Sequence, residues 1–147
     1  MNEEMRLHII LEKPPADVSF ALQSGSGSKF EIVQRQLSGT DNLLFALSVK
    51  IKRDKDGQPD FTGPFVQGNK GERFIYVGSG RFAGDTDSCW DRRLKIPLRG
   101  IARSVIDKVM AGNDLVLETR VPGTGRDGGP NCATVKPFDG WSVAKVN

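Results

Sequence analysis

The stretch Leu43-Leu44-Phe45-Ala46-Leu47-Ser48-Val49-Lys50-Ile51-Lys52-Arg53 decides the fold class. Leu43, Phe45, Leu47, Val49 and Ile51 occupy alternate positions. Successive side chains of a strand point to opposite faces, so these five form one apolar face. The other face carries Leu44, Ala46, Ser48, Lys50 and Lys52, and its two lysines suit water. This is a strand with one side in the core.

The same period recurs on both sides of it. Met5, Leu7, Ile9 and Leu11 alternate with Arg6, His8 and Glu12. Val18, Phe20 and Leu22 alternate after the turn Pro14-Pro15-Ala16-Asp17. Phe30–Gln36 reads as a further strand, paired with the previous one across Ser24-Gly25-Ser26-Gly27. Strands are also expected at Arg73–Val77, Leu115–Val121, Ala133–Lys136 and Trp141–Val146. Turn signals lie at Asp56-Gly57-Gln58-Pro59, Gly63-Pro64, Gly68-Asn69-Lys70-Gly71 and Gly123–Pro130. Many short strands with glycine-rich turns predict a mainly β protein, an antiparallel sheet that is barrel-like or sandwich-like.

One segment has a different period. Leu98, Ile101, Ala102, Val105, Ile106, Val109 and Met110 recur at helical spacing, which predicts one amphipathic helix over about residues 98–111. Pro97 suits its first turn and Gly112 its end. The aromatics Phe74 and Tyr76 share a strand face and are expected in the core.

The whole chain of 147 residues fits one globular domain, 1–147, long enough to bury a core without staples. Its 37% hydrophobic and 27% charged residues are those of an ordinary globular protein, and no apolar run approaches the roughly 18 residues a membrane span needs. The start Met1-Asn2-Glu3-Glu4-Met5-Arg6 is acidic rather than basic, so a cytoplasmic protein with no membrane partner is expected. Cys89 and Cys132 are too few for a disulfide scaffold. One histidine and two distant cysteines make no zinc site, so no metal and no cofactor are expected. A net charge of +3 and a pI near 9.0 are only weakly basic, which makes the placement of charge more informative than its sum.

Two glycine-rich polar stretches stand out as candidate sites: Gly78–Arg93, and Gly123–Cys132 with Asp139-Gly140-Trp141 close behind. Polar loops on a rigid scaffold are common places for function. From them come the candidate ligand-binding residues Arg81, Asp87, Cys89, Trp90, Arg92, Arg93, Arg126 and Asp127. Arg92, Arg93 and Lys95 precede the expected helix, and Arg99 and Arg103 fall in its first turns. Cations are disfavoured there by the helix dipole, so a compensating negative charge is expected. Two sources compete. An external anion is one. An internal network through Asp85, Asp87, Asp91 and Asp127 is the other, and the close alternation of acids and bases favours it.

The functional expectation is a non-catalytic binding module for a small anionic ligand or an acidic partner surface. Two alternatives are an enzyme with a polar-loop site around Cys89 and Asp87, and a weak nucleic-acid binder. A catalytic cysteine would need a base, and the one histidine, His8, sits mid-strand where a solvated or hydrogen-bonded role is expected. Nucleic acid is disfavoured as a partner, because Arg73-Phe74-Ile75-Tyr76 is the only hint of interleaved basic and aromatic residues.

Three motifs carry a family likeness. They are Phe61-Thr62-Gly63-Pro64-Phe65-Val66-Gln67-Gly68 with Glu72-Arg73-Phe74-Ile75-Tyr76; Asp87–Leu98; and Gly125–Val135. In these the chain resembles a small bacterial family of proteins of unknown function. The resemblance implies a stand-alone single domain and transfers no activity.

Overall fold

The computed structural model describes residues 3–16, 18–23, 30–31, 34–80, 90–126 and 133–147. The strands are β1 (Glu3–Glu12), β2 (Ser19–Gln23), β3 (Phe30–Glu31), β4 (Gln34–Gln36), β5 (Leu43–Arg53), β6 (Pro59–Thr62) and β7 (Phe74–Gly80). They continue as β8 (Trp90–Pro97), β9 (Leu115–Arg120), β10 (Thr124–Arg126), β11 (Ala133–Val135), β12 (Phe138–Asp139) and β13 (Val143–Val146). The helix α1 spans Arg103–Met110, between β8 and β9.

The diagnostic stretch is β5, and it is central. It pairs antiparallel with β1, Leu7 opposite Leu47, while β4 and β6 share its other edge. Phe45, Leu47, Val49 and Ile51 are buried; Ser48, Lys50 and Lys52 are exposed. Burying a side chain such as Phe45 stabilises by about 1.5–3 kcal/mol, so one strand face supplies a large share of the core. The first sheet runs β13-β9-β1-β5, and the second runs β12-β8-β7-β2-β3. β10 and β11 form a separate hairpin. The inner residues of β1, β5 and β9 merge with those of β2, β7 and β8 in one hydrophobic cluster, which makes the arrangement sandwich-like.

Several expectations change. Among the described residues no sheet closes into a barrel. The sheets are also mixed rather than antiparallel throughout: β1 with β9 and β12 with β8 are parallel. The reason is connectivity. All of β2–β8 and the helix intervene between β1 and β9, and such a crossover allows the returning strand to run either way. The strand expected over Phe30–Gln36 is divided. Phe30–Glu31 pairs with β2 in the second sheet, whereas Gln34–Gln36 pairs with β5 in the first. Alternation continues through such a switch of sheet, so the pattern hides it.

The helix exists but starts later than its periodicity suggests. Pro97 ends β8, and the Leu98 amide still pairs with the Arg73 carbonyl at 2.8 Å. Gly100 then takes φ +75°, a conformation foreign to a right-handed helix. Leu98 is buried as the continuation of a strand, so its match to the helical period is incidental. At the other end Gly112 (φ +109°) stops the helix as expected. The Gly112 amide donates to the Val109 carbonyl at 3.0 Å and the Asn113 amide to Lys108 at 3.1 Å, the paired bonds of a Schellman ending. Ile106 and Val109 are its buried face. Phe74 and Tyr76, expected in the core, lie half-buried on the outer face of β7, because Ile75 and Val77 take the inner positions.

Candidate functional site

The electrostatic premise of the sequence changes with the helix boundary. Arg92, Arg93 and Lys95 belong to β8, not to a helix entrance. Leu94 and Ile96 are its core face, so Arg93 and Lys95 lie on the outer face, both half-buried. Arg103 alone of the five cations sits in the first helical turn, and no acidic residue joins it there.

Of the expected site residues, Arg81, Asp87, Cys89 and Asp127 lie outside the described residues, as do Asp85 and Cys132. Trp90 and Arg92 are placed on β8 and Arg126 on β10 by backbone only. The stems of the two polar stretches do come together. Gly80 pairs with Trp90, Arg126 pairs with Ala133, and the Val135 amide donates to Ser79 Oγ at 3.2 Å. His8 has a structural partner, with Nε2 at 3.4 Å from Asp114 Oδ2.

The described residues assemble a different arginine-rich site. A cavity of about 570 Å³ lies between the β5–β6 turn, the connector after β8 and the start of α1. Arg53, Arg73, Arg99 and Arg103 line it, together with Asp56 and Asp60. Each wall has a local cause. The β5–β6 turn closes through the Asp54 amide on the Gln58 carbonyl at 2.8 Å, with Gly57 at φ +79°. Asp54 Oδ1 accepts the Asp56 and Gln58 amides at 2.8 and 2.9 Å, and its Oδ2 lies 3.0 Å from Lys70 Nζ. The Gln58 amide first, and then the Lys70 ammonium, hold the Asp54 carboxyl below its ordinary value.

Two of the arginines are tethered. Arg53 donates through Nη1 to the Gly57 carbonyl at 3.1 Å and through Nη2 to Asp107 Oδ1 at 2.9 Å, tying the turn to the helix. Arg73 grips Asp60 with Nε on Oδ1 at 3.1 Å and Nη2 on Oδ2 at 3.4 Å, and its Nη1 donates to the Gly68 carbonyl at 2.6 Å. The Asp60 side chain is 6% exposed, so this two-pronged pair is a buried anchor beneath the cavity. The other two are not tethered. Among the described residues neither Arg99 nor Arg103 meets a carboxylate or a hydrogen-bond acceptor, and both are exposed. The helix start beside them is capped by Ala102, which offers no side-chain acceptor or donor.

A slightly larger groove, about 620 Å³, lies on the outer face of β1 and β5. Its charged lining is Glu4 against Arg6 and Lys50, with no tethered donors, so the arginine-lined cavity is the better candidate. Among the described residues no cluster of three potential ligands could hold a metal ion, and no helix is long and apolar enough to cross a membrane.

Sequence reasoning named Arg99 and Arg103 only as part of a helix entrance, named Arg73 only in the interleaved run Arg73-Phe74-Ile75-Tyr76, and gave Arg53 no functional role. The signal for the cavity itself is position: Arg53 and Arg73 each stand at the end of an apolar strand, next to a glycine-bearing turn.

No curated protein and no solved structure matches the chain. A family profile does match, over residues 5–144, from within β1 to within β13. All four cavity arginines fall inside that span. The likeness carried by the three sequence motifs thus extends over both sheets and the helix, and the chain belongs to DUF5990, a family of unknown function.

Proposed function

We propose that the protein is a binding module for a small anionic ligand, a phosphate- or carboxylate-bearing compound, held in the cavity beside the start of α1. The observation that supports it is the division among the four arginines. A guanidinium has five N–H donors. Arg73 commits three to internal acceptors and Arg53 two, which leaves both with spare donors in fixed positions. Arg99 and Arg103 bring charge that is engaged in no ion pair or hydrogen bond among the described residues, although Asp56 lines the same cavity. Fixed donors lose little freedom on binding, and free cations supply attraction, so the combination suits an incoming anion. The uncapped helix start adds amide groups of the same polarity. The enzyme alternative rests on Cys89 and Asp87, which lie outside the described residues, and no described feature favours it.

The test is thermal unfolding with inorganic phosphate, pyrophosphate and citrate at constant ionic strength. A ligand that binds only the folded state stabilises by about 2.7 kcal/mol at a hundredfold excess over Kd, which raises Tm by about 8 °C for a chain of this size. Arg99→Gln/Arg103→Gln should abolish the rise while leaving the unliganded Tm close to that of the wild type. No rise with any anion, or an equal rise in the double variant, refutes the proposal.

A further inference from the structure

A second cavity of about 300 Å³ adjoins the first, and Arg73 and Arg99 line both. Its chemistry differs. Beyond the shared arginines it presents Asn69, Glu72, Lys95 and Asp139. Arg73 is already paired with Asp60, so Arg99 and Lys95 face Glu72 and Asp139 here, and this half offers a second strongly negative group little net attraction. Among the described residues the side chains of Asn69, Glu72 and Asp139 have no hydrogen-bond partner, and all three are exposed. Together they offer carboxylate acceptors and an amide that both donates and accepts. That set matches hydroxyl groups, which donate to a carboxylate and accept from an amide or an ammonium.

Lys95 is held in place: its Nζ stands 4.4 Å above the Phe74 ring, which packs edge-on to Tyr76 at 4.8 Å between centroids. The opposite wall is equally constrained. A Cβ on Gly68 would meet the Glu72 carbonyl at 2.5 Å and the Phe74 ring at 2.9 Å, so the turn lies tightly against this aromatic. With Lys95 and Gly68 crowding it, the Phe74 ring is poorly placed to stack on a base, and the pattern does not favour a nucleobase.

Building on the proposed anion site, we infer that its ligand is a phosphorylated polyhydroxy compound of the sugar-phosphate class. The phosphate lies among Arg53, Arg99 and Arg103, and the hydroxyl-bearing end reaches past Arg99 to Asn69, Glu72 and Asp139. The two halves of such a ligand need opposite surroundings, and the two cavities supply them side by side.

Calorimetric titration of the full chain with inorganic phosphate, ribose, and a panel of pentose and hexose monophosphates tests this. At least one sugar phosphate should bind about tenfold or more tighter than inorganic phosphate, and neutral ribose should not bind detectably. Glu72→Gln/Asp139→Asn, two exposed changes, should bring sugar phosphates down to the level of inorganic phosphate without altering the affinity for phosphate itself. If phosphate binds and no sugar phosphate binds tighter, the sugar-phosphate inference fails and the anion site stands. If neither phosphate nor any sugar phosphate binds, the sugar-phosphate inference fails, and the anion site falls with it when pyrophosphate and citrate also fail to bind. If the double variant weakens phosphate and sugar phosphate equally, the second cavity has no role of its own and the inference fails.

Discussion

Replacing Arg73 by methionine is the sharpest probe of the cavity floor. Both oxygens of Asp60 rest on the Arg73 guanidinium, at 3.1 and 3.4 Å, and the Asp60 side chain is 6% exposed. Methionine keeps much of the packing volume but leaves this carboxylate without a cation. It also removes the donor to the Gly68 carbonyl. Breaking a buried ion pair from one side costs about 3–5 kcal/mol, because the remaining charge stays desolvated. The Arg73 side chain is 25% exposed, so water reaches part of the site, and the low end of that range, about 3 kcal/mol, applies. Against a total stability of about 5–15 kcal/mol this is a large loss. At about 3 °C per kcal/mol for this chain length, Tm should fall by about 9 °C.

Urea unfolding gives the cleanest reading: the midpoint should drop while the slope stays constant. Asp60→Asn/Arg73→Met removes the stranded charge, and should recover at least about 1.5 kcal/mol relative to the sum of the single changes. An Arg73→Met variant that loses less than about 1 kcal/mol, or a strictly additive double variant, refutes the claim that this pair is a desolvated anchor.

Three further outcomes are expected. Gly68→Ala should cost about 3 kcal/mol, because at φ +88° its new Cβ sits 2.5 Å from the Glu72 carbonyl, whereas Gly57→Ala at φ +79° with open space around it should cost only about 1 kcal/mol; equal losses in thermal unfolding would contradict the crowding. Phe45→Ala should cost about 3–5 kcal/mol and Lys50→Ala, on the opposite face of the same strand, within about 0.5 kcal/mol of zero, measured by urea midpoints. Asp54, whose carboxyl is held below the ordinary value of about 3.9, adds stability to the β5–β6 turn that is present above that value and lost as pH falls through the lowered one. Protection of the Asp56 and Gln58 amides against hydrogen exchange should therefore fall in acid, and Asp54→Asn should flatten that fall; unchanged protection from neutral pH to well below the carboxylate range would contradict it.

The sequence by itself determined the strands that form the core, and did so for a local reason. A strand alternates its faces every residue, so Met5 to Leu11 and Phe45 to Ile51 declare which side is buried before any partner is known. Gly112 likewise declares a helix end, because the backbone conformation there depends on that residue. Three kinds of fact needed the tertiary structure. Strand partners and direction are set by long connections, which is why β1 meets β9 in parallel and why Phe30–Gln36 serves both sheets. The start of the helix was decided by the bond between the Leu98 amide and the Arg73 carbonyl together with Gly100 at φ +75°, neither of which periodicity records. The arginine cavity was decided last, since Arg53, Arg73, Arg99 and Arg103 come from separate ends of elements and gain meaning only when the turns that carry them meet. Periodicity records which way a side chain points; convergence of charge at one place depends on how the elements are packed, and no single stretch of chain contains it.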